Sequence, residues 1–408
     1  MERLFKSTLS VGELRLHKDD NYVDRLSRLY TVMIVVSFSF LVTTKQFVGS
    51  PIHCWCPAQF TDSHVDYANS LCWVTNTYYL PMERPIPGGR FSSKSMISYY
   101  QWVPLILLLQ GLLALLPSLL WRFLNKRSGI DVGCLMDAAQ LTSEATYFEI
   151  REKAVRYIVN QMNRYLLSQR DYAEGCSVRL KLLISKLCCF IGGKDYGNYL
   201  VVCYLFVKAM YVLNAVGQIF LLSVFLGDDY RLYGLHVVEH LARNRDWGNL
   251  PHFPRVTLCE FAIRDQSRVH SYVVQCALTI NLFNEKIFVF LWFWLVLVTA
   301  ITLVDLLVWV FRSFYWPGQV VFVRKRLHAL DAMHREPSVM AKFTQSYLRR
   351  DGLLIVRLIG LNMGDVVAAE VICGLWNNYS PERRIMAEQH RLPAKVHQNG
   401  NGHRMEMV

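Results

Sequence analysis

Charged residues are scarce in this chain: only 19% of its 408 residues are Asp, Glu, Lys or Arg, whereas 53% are hydrophobic. A soluble protein of this length carries more charge, so the composition argues against one. No apolar run precedes residue 29, which argues against a cleaved signal peptide. The chain also contains no Walker A loop, no G-x-S-x-G elbow, no DHHC signature and no haem motif. We therefore expect neither an enzyme nor a bound cofactor.

The hydrophobic residues are concentrated in four blocks, at 29–44, 99–120, 199–226 and 287–311. A helix needs about 20 mostly apolar residues to cross the hydrocarbon core of a bilayer. We predict four transmembrane helices, at 29–45, 99–121, 199–226 and 287–312. Four crossings divide the rest of the chain between the two sides of the membrane. One side receives 1–28, 122–198, 313–380 and 381–408, and the other receives the loops 46–98 and 227–286.

The basic residues indicate which side is cytoplasmic. The side with both termini carries 32 Lys and Arg, counting Arg312 at the end of the fourth predicted helix, and the other side carries 10, so the positive-inside rule places both termini in the cytosol. The net charge of +12 then mainly reflects topology; attraction to anionic membrane lipids is the alternative, and we expect no nucleic-acid partner. Helical spacing at 142–168 and 320–376 predicts a helical cytoplasmic domain. The polar composition of 381–408 predicts a disordered tail.

Five cysteines fall in the two predicted outer loops, namely Cys54, Cys56, Cys72, Cys259 and Cys276. Disulfides persist outside the cell, and an odd number leaves at least one cysteine without a partner in the chain. A zinc site at PIHCWCPAQF (51–60) is the alternative; Cys54 and Cys56 would need two further donors, and although His53 and His64 are near in sequence, no C-x₂-C spacing supports such a site. The H-x-x-E-H pattern at 236–240 lies in a loop too short for a protease, so we interpret it as one polar helix face. We expect no metal site.

Two charges lie inside the predicted membrane helices. Lys208 is the only charge in the third block and Asp305 the only charge in the fourth. At a rise of 1.5 Å per residue, both lie roughly 10–14 Å from the inner boundary. Intramembrane charges are costly and usually find partners. We expect Lys208 and Asp305 to pair; separate contacts of each with polar groups are the alternative.

Three sequence motifs occur together in the outer part of the chain. They are PI-x-CW at 51–55, Cys72-Trp73, and the run YYQWVP, which contributes Tyr99, Tyr100, Gln101, Trp102 and Pro104 at the start of the second span. Together with two spaced cysteines in each outer loop, these motifs resemble the innexins, the invertebrate gap-junction family related to pannexins. The resemblance extends from residue 1 to about residue 370. Tyr and Trp at a span boundary also suit a membrane-interface aromatic belt.

The resemblance implies a subunit that assembles into a ring of eight around a wide pore. Two rings on adjacent cells are expected to dock through their outer loops, with the pairs Cys54–Cys276 and Cys72–Cys259. Such bridges between loops constrain the unfolded chain and hold a rigid docking surface. In this family the first helix and the N-terminal segment line the pore. The expected pore-lining residues are Leu4, Phe5, Thr43, Thr44 and Lys45.

The sequence thus predicts an all-α membrane protein with four transmembrane helices per subunit, disulfide-linked extracellular loops and a helical cytoplasmic domain. The expected function is a gap-junction channel in the plasma membrane that passes ions and small molecules to a docked ring on the neighbouring cell. An undocked, pannexin-like release channel is one alternative; the absence of an Asn-x-Ser/Thr sequon from both outer loops favours docking. A claudin-like adhesion or scaffold protein is the other, but claudins have a short second outer loop without a cysteine pair.

Overall fold

The computed structural model describes residues 21–75, 77–80, 96–144, 147–168, 197–226, 233–243, 253–265, 268–330 and 337–379. The helices are α1 (Tyr22–Phe47), α2 (Asp62–Thr75), α3 (Val103–Lys126), α4 (Val132–Glu144), α5 (Phe148–Ser168), α6 (Tyr199–Leu226), α7 (Tyr233–Ala242), α8 (Thr279–Phe314), α9 (Trp316–His328), α10 (Pro337–Lys342), α11 (Arg349–Met363) and α12 (Asp365–Tyr379). The strands are β1 (His53–Trp55), β2 (Thr77–Tyr78), β3 (Met96–Ile97), β4 (Val256–Asp265) and β5 (Arg268–Ala277). The expected pore residues Leu4 and Phe5 and the tail 381–408 lie outside the described residues.

Four helices, α1, α3, α6 and α8, are long and apolar enough to cross a membrane. This confirms the prediction of a mostly helical, four-span protein. Helix α1 begins at Tyr22, earlier than the predicted residue 29, because a π-helical turn at Leu26–Tyr30 continues it through a charged stretch. Helix α8 begins at Thr279, earlier than the predicted residue 287, and its first turns bury polar side chains (Asn281, Asn284 and Glu285) within the protein.

The chain divides into two compact units. The first, which we call the membrane unit, comprises residues 22–123 and 204–310. It includes a five-stranded antiparallel sheet in the order β1-β5-β4-β2-β3, built from both predicted outer loops. Thr257, Cys259 and Phe261 alternate inward along β4, as expected for a strand with one buried face. Neither outer loop was predicted to contain strands, so this sheet differs from the all-α expectation.

The second unit, which we call the helical unit, comprises 124–203 and 311–408 among the described residues and contains α4, α5 and α9–α12. Its core is apolar, and α12 approaches α5 so closely that a Cβ on Gly374 would lie 2.6 Å from Cγ2 of Val159. One buried carboxylate organises the first turn of α6. Asp351 accepts hydrogen bonds from the backbone N–H of Val201 (3.1 Å) and from the Tyr165 hydroxyl (3.1 Å). A carboxylate there satisfies a free N–H group and complements the helix dipole.

Candidate functional site

The two predicted outer loops are joined covalently. Cys54 on β1 is bonded to Cys276 on β5, and Cys72 on α2 is bonded to Cys259 on β4. This is the pairing that the family resemblance implied. Cys54 and Cys276 are also register partners in the sheet. The bridges span 222 and 187 residues of sequence, so each constrains a large part of the unfolded chain.

Helix α2 is held against the sheet by more than its disulfide. The backbone N–H of Cys54 donates to Oδ1 of Asn69, at 2.8 Å. The Sγ atoms of Cys54, Cys72 and Cys276 lie within 4.8 Å of one another, and all three sulfurs are already in disulfides. Metal coordination requires thiolates, so this cluster is a structural staple rather than a metal site.

The remaining outer cysteine has a free thiol. Cys56 is half-buried and packs at the margin of the core, and burial raises the pKa of its thiol. A raised pKa lowers the thiolate fraction at neutral pH and with it the reactivity of the side chain.

Strand β1 presents its side chains alternately to the core and to solvent. Cys54 points inward, while His53 and Trp55 are exposed. Trp55 is 79% exposed, whereas tryptophan side chains are on average highly buried in folded proteins. β1 is also an outermost strand of the sheet. The result is an exposed aromatic side chain on an edge strand, directly beside the buried disulfide.

The YYQWVP run connects the outer region to α3. Tyr100 is fully buried, its ring lies 4.8 Å from the Trp73 ring, and its hydroxyl donates to the Trp73 carbonyl at 3.5 Å. The Gln101 side-chain amide donates to the same carbonyl. Trp102, in contrast, is 57% exposed. Tyr100 therefore anchors the core, and Trp102 has the exposure that a membrane-interface aromatic requires.

An ionic cluster connects three of the four membrane-spanning helices. The Lys208 ammonium on α6 donates to Oδ1 of Asp24 on α1, at 2.8 Å, and also to Oδ2 of Asp305 on α8. The side chains of Lys208, Asp24 and Asp305 are only 3%, 5% and 12% exposed. The Lys208 ammonium also lies 5.2 Å from the ring centre of Tyr204. The expected pair is thus present as a triad, and Asp24 is the member that the sequence analysis missed.

Helix α1 uses a polar residue every second turn to contact its neighbours. The Ser39 hydroxyl donates to the Pro104 carbonyl (3.0 Å), the Gln46 amide donates to the Tyr100 carbonyl (2.9 Å), and the Trp294 indole N–H donates to Oγ1 of Thr31 (3.0 Å). With Asp24, the spacing is 24, 31, 39 and 46, which matches two helical turns of 7.2 residues. These four positions therefore define the inward face of α1.

The opposite face of α1 has no covering neighbour among the described residues of the membrane unit. It exposes Met33, Ser37, Phe40, Thr44 and Phe47. Of the residues expected to line the pore, Thr44 is on this face, and Thr43 and Lys45 are half-buried beside it. The Lys45 ammonium lies 5.9 Å from the ring centre of Phe283. Ser37 is a polar residue of this face that the sequence analysis did not single out.

The H-x-x-E-H pattern lies on α7. His236 is exposed, and Glu239 pairs with Arg243 one turn later at 2.8 Å, as on an ordinary polar helix face. The side chain of His240 is outside the described residues.

Comparison with known proteins gives a consistent result along almost the whole chain. Residues 20–379 match the family model described as Innexin. The chain is 39% identical to innexin unc-9 of Caenorhabditis elegans over 378 residues, which cover 92% of this chain and 96% of that protein. It is 30% identical to innexin-19 of Caenorhabditis briggsae, over 95% of this chain and 93% of the relative. It is 35% identical to innexin-3 of Caenorhabditis elegans, over 86% and 82%.

Proposed function

Because this chain belongs to the innexin family and is a gap-junction channel subunit of the plasma membrane, we propose how its parts serve that channel. The outer sheet forms the surface that docks with the opposing ring, and α1 lines the pore. The chain transports ions and small molecules without transforming them. The observation that carries this proposal is the joining of both outer loops into one disulfide-linked sheet.

Docking between cells requires a surface that keeps its shape before the partner arrives, since ordering flexible loops on contact reduces affinity. Two bridges and the continuous β1–β5–β4 pairing supply that rigidity. Trp55 supplies an exposed aromatic of the kind that dominates binding energy at protein interfaces. We therefore place the docking contact at the outer edge of the sheet, around His53 and Trp55.

The pore-lining face in this proposal is the uncovered stripe of α1. The stripe combines the hydroxyls of Ser37 and Thr44 with larger apolar side chains. Polar groups within a membrane span usually face water or other protein groups rather than lipid. We also propose that eight subunits form the ring, with both termini in the cytosol as the distribution of basic residues indicates.

Electrical recording from paired cells tests the proposal. Cells expressing the full chain are apposed, and junctional conductance and dye transfer are measured, with pairs in which one cell lacks the chain as the control. We expect both signals when both cells express it. Current in single cells without coupling in pairs would replace the docking proposal by an undocked release channel. Adhesion without any current would indicate a claudin-like scaffold.

A further inference from the structure

A cavity of about 390 Å³ lies within the helical unit. It is lined by the last residue of the final apolar run and two residues after it (Phe311, Arg312 and Tyr315), by one face of α9 (Gly318, Phe322 and Arg326), and by α11 and the start of α12 (Arg357, Gly360, Leu361 and Asp365). We call it the arginine pocket. Its size is in the range of small-molecule sites, about 300–1,000 Å³.

Three guanidinium groups converge on this cavity, against one carboxylate. Arg326 donates to Asp365, whose side chain is 70% exposed. Arg312 and Arg357 have no ion-pair partner among the described residues. The carbonyl of Arg312 accepts a hydrogen bond from Nη1 of Arg357, at 3.1 Å. The pocket therefore has an excess of positive charge.

The arginine side chains are pre-positioned by packing. Phe322 lies beneath two guanidinium groups, with its ring centre 3.6 Å from Cζ of Arg326 and 5.0 Å from Cζ of Arg357. The Nε atoms of Arg326 and Arg357 are buried without a hydrogen-bond partner in the described part of the chain. Burial, followed by repulsion from Arg312 and Arg326, lowers the pKa of Arg357 to about 10. An anion in the cavity would neutralise this repulsion and offer acceptors to the unused donors.

We propose that the arginine pocket binds a phosphate-bearing ligand, such as a phosphorylated lipid headgroup or a soluble organophosphate. The planar guanidinium fork matches phosphate oxygens in pairs, which favours arginine for this task. The volume accommodates a phosphate together with a ring, and Tyr315 and Phe322 offer aromatic surface for that ring. The ligand's phosphate is placed between Arg312, Arg326 and Arg357.

The position of the arginine pocket in the chain is compatible with a lipid headgroup and with a soluble organophosphate as the ligand. Arg312 is the first basic residue after the apolar run that ends at Phe311. Such a residue lies at the depth of the lipid headgroups, where basic side chains meet anionic lipids. Phe311 and Tyr315 beside it are exposed. A headgroup can therefore enter from the membrane surface, and a soluble phosphate from the aqueous side.

Equilibrium binding to the purified full-length channel tests the proposal. The probes are a short-chain phosphatidylinositol bisphosphate, free inositol trisphosphate, ATP and inorganic phosphate. Saturable binding of the lipid probe alone identifies a membrane ligand, and equal binding of a free organophosphate identifies a soluble one. If no probe binds the wild-type channel saturably, the proposal is wrong. This readout does not depend on coupling between cells.

Four variants place the binding in the pocket. Arg357→Gln and Arg326→Gln each remove one charged partner, so affinity is expected to fall about tenfold or more. Arg324→Gln, an exposed arginine on α9 that does not line the cavity, is the matched control and should bind as wild type does. Asp365→Asn releases Arg326 from its exposed ion pair and should tighten binding about two- to fivefold.

The arginine-to-glutamine variants in the pocket should weaken binding and Asp365→Asn should strengthen it. General damage to the fold would weaken binding in every variant, so the opposite changes identify ligand contact. Wild-type affinity in Arg357→Gln, or an equal loss in Arg324→Gln, contradicts the pocket assignment. If a glutamine variant does not assemble, as judged by size-exclusion chromatography, Arg357→Lys provides the second measurement because it keeps the charge and loses the fork. In that case the proposal is supported if Arg357→Lys binds more weakly than wild type and Asp365→Asn binds more tightly. It is overturned if both variants bind as wild type does.

Discussion

The ionic triad makes a quantitative prediction about the assembly of the membrane unit. Replacing Lys208 with Met leaves Asp24 and Asp305, both almost inaccessible to water, without their shared cation. Removing one partner of a buried ion pair typically costs about 3–5 kcal/mol. A folded domain has only about 5–15 kcal/mol of net stability, so most Lys208→Met protein should fail to reach the cell surface.

The two carboxylates should differ from the lysine in their effect. Asp305→Asn leaves Lys208 bonded to Asp24 at 2.8 Å, so it removes one charge-assisted hydrogen bond, about 1.5–3 kcal/mol. Asp24→Asn leaves the bond to Asp305 and should cost a similar amount. The expected order of surface expression is wild type, then the two Asn variants, then Lys208→Met. Surface biotinylation and thermal unfolding in detergent measure it, with exposed Lys325→Met as the matched control.

A charge exchange gives the sharper test because the cluster has three members. Lys208→Asp with Asp305→Lys restores one ion pair but places a carboxylate opposite Asp24. Partial rescue is therefore expected, and adding Asp24→Asn should improve it by removing the repulsion. The triad model would be refuted by Lys208→Met behaving like Lys325→Met, or by a full rescue that Asp24→Asn does not alter.

Three further predictions concern the outer region and the helical unit. Trp55→Ala should abolish most junctional conductance while single-cell current and surface expression persist, since an exposed aromatic that becomes buried on docking contributes about 2 kcal/mol or more per contact. Trp102→Ala is the matched control, and equal losses in both variants would contradict docking at Trp55. Cys56→Ser should leave coupling intact. Burial raises the pKa of the Cys56 thiol, so maleimide should label Cys56 more slowly at neutral pH than it labels an unburied thiol, and the labelling rate should rise with pH. Rapid labelling at neutral pH would contradict this. Asp351→Asn should lower the thermal stability by about 1–3 kcal/mol through its weakened bonds to Val201 and Tyr165, and an unchanged unfolding midpoint would show that this carboxylate is dispensable.

The four spans could be predicted from composition because about 20 consecutive, mostly apolar residues are enough to indicate a transmembrane helix. The outer sheet was harder to predict. Strands β2 and β3 have only two residues each and take their conformation from their neighbours. In β4 the buried residues Thr257, Cys259 and Phe261 alternate with positions that include Leu258 and Ala262, so the sequence has no clear apolar–polar alternation to mark the strand.

Tyr99 and Tyr100 were predicted to lie at the membrane interface, but they belong to the folded core of the membrane unit. Aromatic residues next to an apolar run suit a membrane belt and a folded core equally well in sequence. The structure buries Tyr100 against Trp73 and sets the Tyr99 ring 5.7 Å from that of Phe253. Both partners come from distant parts of the chain, so local sequence could not identify them. Asp24 was missed for a related reason, because a mixed-charge stretch gave no sign that α1 began inside it.

The inward face of α1 also limits where gating movements can occur. Polar residues at 24, 31, 39 and 46 bind α6, α8, α3 and the turn before α3, so the helix is held along its whole length. Rotating or sliding α1 would break several buried or partly buried hydrogen bonds at once, and a buried group left unsatisfied costs about 1–3 kcal/mol. A rigid α1 suits a wide, permanently shaped pore wall. We therefore expect closure to involve parts of the chain other than α1, and cysteine cross-links between α1 and α3 should leave both conductance and closure unchanged.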